Sequence, residues 1–94
     1  MNPRKTKDIS SQLKKKGFVE KQGDHTFFYL YYRNKKTSVY TKLSHGIKEY
    51  SDNLLSQMAK QLSLTNSELE NLIECPLTYD NLIEILKEKN KIKI

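Results

Sequence analysis

The chain predicts an α+β fold: an α-β-β-β-α order with a three-stranded antiparallel sheet, extended by C-terminal helices. Three observations carry this. Apolar residues at helical spacing stop at Gly17, two aromatic or β-branched runs flank a polar turn, and an amphipathic pattern runs from Leu54 to Leu62. The first helix is expected over Asp8 to Lys16, with Thr6 as N-cap and with Ile9 and Leu13 four apart on one face. Gly17 ends it, and Lys14, Lys15 and Lys16 place positive charge at the negative end of its dipole. Phe18 to Gln22 reads as a short strand, Gly23-Asp24 as a tight turn, and His25 to Tyr32 (HTFFYLYY) as an aromatic strand. Arg33 to Lys36 turns the chain into a third strand, Thr37 to Thr41, which completes a meander.

Lys42 to Gly46 is polar, lacks a period and reads as a loop. Ser51 or Asp52 can cap the helix that follows, in which Leu54, Leu55, Met58, Ala59 and Leu62 form one apolar face. Two similar segments come next, beginning Leu64-Thr65 and Leu77-Thr78. Thr65 with Glu68 makes a capping box, Thr78 is the equivalent cap, and Pro76 separates the two helices. Two copies are too few for a solenoid, so they are expected to form a helical appendage on the sheet domain or on another chain. The Lys-rich end from Lys87 to Ile94 is expected to fray.

The chain is 94 residues long and 36% hydrophobic, enough for one modest core and too little for two, which excludes a large multi-domain enzyme. The single Cys75 excludes an internal disulfide and a thiolate zinc site, and before Pro76 it reads as a small buried residue. No apolar run approaches the ~20 residues that span a bilayer, and MNPRKTKDIS lacks a secretory apolar stretch, so a cytoplasmic protein without membrane contact is expected. The net charge of +6 is uneven. Residues 1–50 carry 12 Lys and Arg against 4 Asp and Glu, while residues 51–94 carry 5 against 7. The basic half suits a polyanion such as nucleic acid, because each neutralised phosphate releases condensed counterion; a plainly solvated surface is the competing account.

His25 heads the aromatic strand after a glycine turn, and its imidazole titrates in the range that acid-base chemistry needs. An ordinary surface histidine is the simpler account. His45 lies in the loop after the third strand, near Lys42, and the meander can bring that loop near either end of the aromatic strand. Two histidines and Lys42 would supply a base, an acid and a phosphate-binding cation, the set that cleaves RNA through its own 2′-hydroxyl. A metal site has no third ligand at a recognisable spacing, so neither metal nor cofactor is expected. If Phe28 and Leu30 face the helices, then His25, Phe27, Tyr29 and Tyr31 face the other way, with Tyr40 undecided until the register is known. That aromatic face, with Arg33, Lys35 and Lys36 at its end, can stack bases or simply cover the sheet. Phosphate loops, nucleophile elbows and paired-carboxylate motifs are absent, which leaves kinases, serine hydrolases and glycosidases without support.

Lys16-Gly17-Phe18-Val19 after the first helix, Gly23-Asp24-His25 opening an aromatic strand, the basic turn and Ser44-His45-Gly46 together resemble a HicA-type toxin. The likeness covers about Thr6 to Leu62. It implies a fold like that of the double-stranded-RNA-binding domain and an endoribonuclease (an mRNA interferase) that cleaves messenger RNA. It also implies a HicB-type antitoxin as protein partner, with His25 as the catalytic residue; the residue chemistry above adds His45 and Lys42 as auxiliaries. Lys14, Lys15, Lys16, Arg33, Lys35, Lys36 and Lys42 would then hold RNA. Asp24 stands where the family has serine, which puts a carboxylate beside the imidazole. On this reading residues 1–62 are the HicA-like ribonuclease and RNA-binding domain, and residues 63–94 a helical appendage to which the resemblance assigns no role. Residues 64–86 are acidic and lack histidine, so they are expected to serve stability or docking rather than chemistry. A non-catalytic RNA-binding module on the same fold is the alternative, and a protein adaptor the third reading.

Overall fold

Phe28 and Leu30 are fully buried on the middle strand of the sheet, and the helices are arranged to cover them. The structure is a computed structural model, and it describes residues 2–74 and 76–92. Its elements are β1 (Arg4–Lys5), α1 (Thr6–Lys15), β2 (Phe18–Gln22), β3 (Thr26–Tyr32), β4 (Lys35–Leu43), β5 (Glu49–Tyr50), α2 (Asp52–Gln61), α3 (Asn66–Glu74) and α4 (Tyr79–Glu88). The α+β order and the antiparallel sheet β2-β3-β4 are as the sequence predicts, while β1 and β5 form a separate two-stranded sheet that no periodicity announces. Cys75 lies outside the described residues. Among the described residues, no helix is long and apolar enough to cross a membrane.

The ends of these elements follow local chemistry. Gly17, at φ +91°, ends α1 in the left-handed conformation that its lack of a Cβ permits. Thr6 is the first helical residue rather than the N-cap, because its hydroxyl and its N–H both donate to the Lys48 carbonyl, tying α1 to the residue just before β5. β3 begins at Thr26, one residue later than expected. Gln22 pairs with Thr26 and the Gly23 N–H donates to the His25 carbonyl, so His25 closes a three-residue hairpin loop. β4 is longer than expected, because Arg33 and Asn34 alone make the turn, at φ +52° and +62°, and Lys35 already pairs with Tyr32. Two positive-φ residues give the turn a twist that matches the strands. Between Tyr29 and Tyr31 the register slips, and the Thr37 hydroxyl donates to the Leu30 carbonyl at 2.7 Å across the irregularity.

One buried cluster joins α1 (Ile9, Leu13), the inner sheet face (Phe18, Phe28, Leu30, Val39, Leu43), α2 (Leu55, Met58), α3 (Leu69, Leu72) and α4 (Leu82, Leu86). Each large side chain removed from water there contributes roughly 1.5–3 kcal/mol. The end of the chain is held and does not fray as far as it is described: Asn90 turns at φ +60°, the Lys91 N–H donates to the Leu86 carbonyl, and Ile92 is buried. The cause is a left-handed helix stop followed by an apolar residue that the core accepts.

Candidate nucleic-acid interface

Alternation along β3 sends Phe28 and Leu30 into the core and leaves Phe27 and Tyr29 on the opposite face. That face is open, with Val19 47% and Tyr40 46% exposed. The register settles Tyr40, which stands opposite Tyr29. The rings form a line. His25 meets Phe27 edge-on at 6.3 Å, Phe27 stacks on Tyr29 at 6.1 Å, and Tyr29 stacks on Tyr40 at 5.6 Å. The Lys36 ammonium sits 3.9 Å from the Tyr29 ring centroid, while Lys21 and Lys42 are the cross-strand neighbours of Phe27. Aromatic faces interleaved with cations can stack unpaired bases and attract the phosphates between them.

His25 lies at the head of this line, half-buried, with its Nδ1 shielded from solvent and without a hydrogen-bond partner. His45 is exposed, and its Nε2 lies 3.1 Å from the Thr26 hydroxyl, which itself donates to the Gln22 side chain at 3.1 Å. The loop of His45 is thus brought to the residue next to His25. Thr26 alternates with Phe27, however, so His45 bonds on the helix side of the sheet while His25 stacks on the open side.

The expected basic residues are dispersed. Lys16 is 5% exposed and its ammonium donates to the Leu77 carbonyl, which makes it an internal tie rather than an outward cation. Lys14 pairs with Glu20 at 2.9 Å on the side of α1, and this hydrogen bond holds the Glu20 carboxyl below its ordinary range. Lys15 is exposed on the same helix. Arg33, Lys35 and Lys36 gather at the β3–β4 turn, where they line a cleft of about 540 Å³ with Tyr32, Asn90 and Lys91. Tyr32 is flanked by cations, with the Arg33 guanidinium 5.2 Å and the Lys87 ammonium 4.9 Å from its ring centroid. The Lys87 hydrogen bond draws the Tyr32 phenol below its usual range, against a smaller push from burial and with help from Arg33. Sequence reasoning missed Tyr32, Lys87 and Lys91 as neighbours of the basic turn. The one signal for them was the concentration of lysine after Glu84. No family model, curated protein or solved structure matches the chain.

Proposed function

We propose that the chain binds single-stranded RNA across the open sheet face and cleaves it as an endoribonuclease, with His25 moving the proton and no metal ion required. The observation that carries this reading is the unbroken line His25, Phe27, Tyr29 and Tyr40 on an uncovered face, with Lys36 over one ring. A base stacked on Phe27 or Tyr29 would bring its neighbouring ribose towards the imidazole. His25 would accept the 2′-hydroxyl proton as that oxygen attacks the adjacent phosphorus. The P–O bond to the next nucleotide's 5′-oxygen breaks, leaving a 2′,3′-cyclic phosphate, and the 5′-oxygen takes up a proton. Lys42, across from Phe27, would offset charge on the phosphate. The HicA likeness adds the biological setting: a toxin whose target is messenger RNA, restrained by a HicB-type antitoxin.

A non-catalytic RNA-binding module is the second reading, favoured by the His25 Nδ1, which has no partner to orient the ring. Purified wild type, His25→Ala and Tyr29→Ala, assayed on unstructured RNA in a chelating buffer, separate the two. Cleavage should fall ~10²–10⁴-fold in His25→Ala with binding retained. Tyr29→Ala should weaken binding by ~1–3 kcal/mol. Binding without cleavage by the wild type selects the second reading, and absence of binding rejects both.

A further inference from the structure

Some cations on this protein are paired with carboxylates. Arg4 pairs with Glu70 and Glu74, Lys14 with Glu20, and Lys89 with Glu68. Of the cations that form no ion pair with a carboxylate among the described residues, Arg33, Lys35, Lys36 and Lys91 line one cleft, and Lys87 stands over the Tyr32 ring that also lines it. We infer that this cleft, closed on one side by Asn90, Lys91 and Ile92 just after α4, binds the phosphodiesters of an RNA strand leaving the open sheet face. The inference rests on the RNA-binding reading above and adds to it a role for the C-terminal helix.

Three features of the structure support this. Lys36 belongs to both surfaces, standing over Tyr29 on the open face and lining the cleft, so an RNA backbone can pass from one to the other around β4, the edge strand of the sheet. The cleft is also built in advance. The left-handed turn at Asn90 carries Lys91 back beside the hairpin, Ile92 anchors it in the core, and Tyr32 holds Arg33 and Lys87 against its ring. Cations fixed in this way lose little freedom when a ligand arrives. Finally, Arg33 occupies φ +52°, a conformation that glycine or asparagine adopts more cheaply, so the turn carries a guanidinium where folding alone favours another residue. Residues held in such conformations concentrate at ligand clamps.

An acidic protein surface is the competing occupant. RNA is favoured because a phosphodiester strand can span both the stacking rings and the cleft, and Tyr32 adds a half-buried ring between the cations.

The test uses the full-length protein and an unstructured RNA oligonucleotide, with affinity measured by fluorescence anisotropy from 50 to 300 mM salt. The triple variant Arg33→Gly, Lys87→Ala, Lys91→Ala should bind ~10–100-fold more weakly at 0.1 M salt, with a salt slope lower by about 2, since each single-strand phosphate contact contributes ~0.7. Lys5→Ala, Lys7→Ala, Lys48→Ala removes the same charge from exposed positions away from the cleft and should change binding by less than ~threefold. Lys91→Ala alone, at an exposed position, should weaken binding about fivefold with unchanged thermal unfolding, which keeps the test valid if the triple variant does not fold. A folded triple variant that binds like wild type overturns the inference, as do equal losses in the two triple variants. A wild type without RNA affinity rejects the RNA-binding reading itself, an outcome distinct from both.

Discussion

Gly17 shows how one residue can serve two ends. Its φ of +91° stops α1, which the sequence predicts from its position after three lysines, but a Cβ there would also lie 2.5 Å from two ring carbons of Tyr79 on α4. The second constraint is invisible locally, because Tyr79 is 62 positions away in the chain. Gly46, at φ +83°, has nothing within 4 Å of the same point. Gly46→Ala should therefore cost only the ~1–2 kcal/mol of a left-handed L-residue, while Gly17→Ala costs that plus displacement of the Tyr79 ring. Tyr79 in turn donates to the Tyr31 carbonyl at 2.7 Å, so displacing it also breaks a tie between α4 and β3. Thermal unfolding of both variants is the measurement, with the Gly17→Ala midpoint expected ~5–15 °C below wild type and clearly below that of Gly46→Ala. Equal midpoints would show that the ring yields freely.

At the scale of elements, the repeated C-terminal pattern turns out to be a repeated helix start. The Thr65 N–H donates to the Glu68 carboxylate at 2.8 Å and the Glu68 N–H to the Thr65 hydroxyl at 3.1 Å, and Thr78 accepts from the Asn81 N–H. Leu64 and Leu69 are both buried, as a hydrophobic residue before the cap and its partner one turn in should be. Glu68 also receives the Lys89 ammonium at 2.7 Å, which joins the start of α3 to the end of α4. Burial pushes its carboxyl up, but the bonds from Lys89 and Thr65 outweigh this and leave it below the ordinary range. A folded pKa below the unfolded value near 4.3 means the contribution is complete above that value and is lost as pH falls through the folded one. Glu68→Gln keeps the capping geometry and removes the charge. Its stability deficit, up to ~1 kcal/mol at pH 7 for so accessible a pair, should close as pH falls towards 3 in urea unfolding. A deficit independent of pH would assign it to the cap instead.

Across the molecule as a whole, and among its described residues, those after Ser63 supply eight of the twenty buried side chains of the core: Leu64, Leu69, Leu72, Ile73, Leu82, Ile83, Leu86 and Ile92. At roughly 1.5–3 kcal/mol each, their loss, about 12–24 kcal/mol, is as large as or larger than the 5–15 kcal/mol by which a domain is stable. Residues 1–62 alone should therefore lack a cooperative transition by circular dichroism in urea. Two-state unfolding of that fragment would show that the two C-terminal helices are detachable.

The sequence by itself determined the elements whose signals are local. Gly17 ends a helix because only its own backbone must adopt the angle, Thr65 and Thr78 start helices by reaching three residues ahead, and period-two alternation sends Phe28 and Leu30 one way and Phe27 and Tyr29 the other. The proposed ribonuclease function rests on the same local residues, among them His25. Tertiary structure alone decided what depends on distant parts of the chain meeting. Two-residue strands at Arg4–Lys5 and Glu49–Tyr50 have no period to read and exist because Lys48 takes both donors of Thr6. Lys16 looks like a basic surface residue until Leu77 folds over it, and His45 bonds beside His25 yet on the other side of the strand, which spacing does not specify. The basic turn became a cleft because a buried Ile92 and a left-handed Asn90 return Lys91 to it, and placing those two residues takes the assembled core.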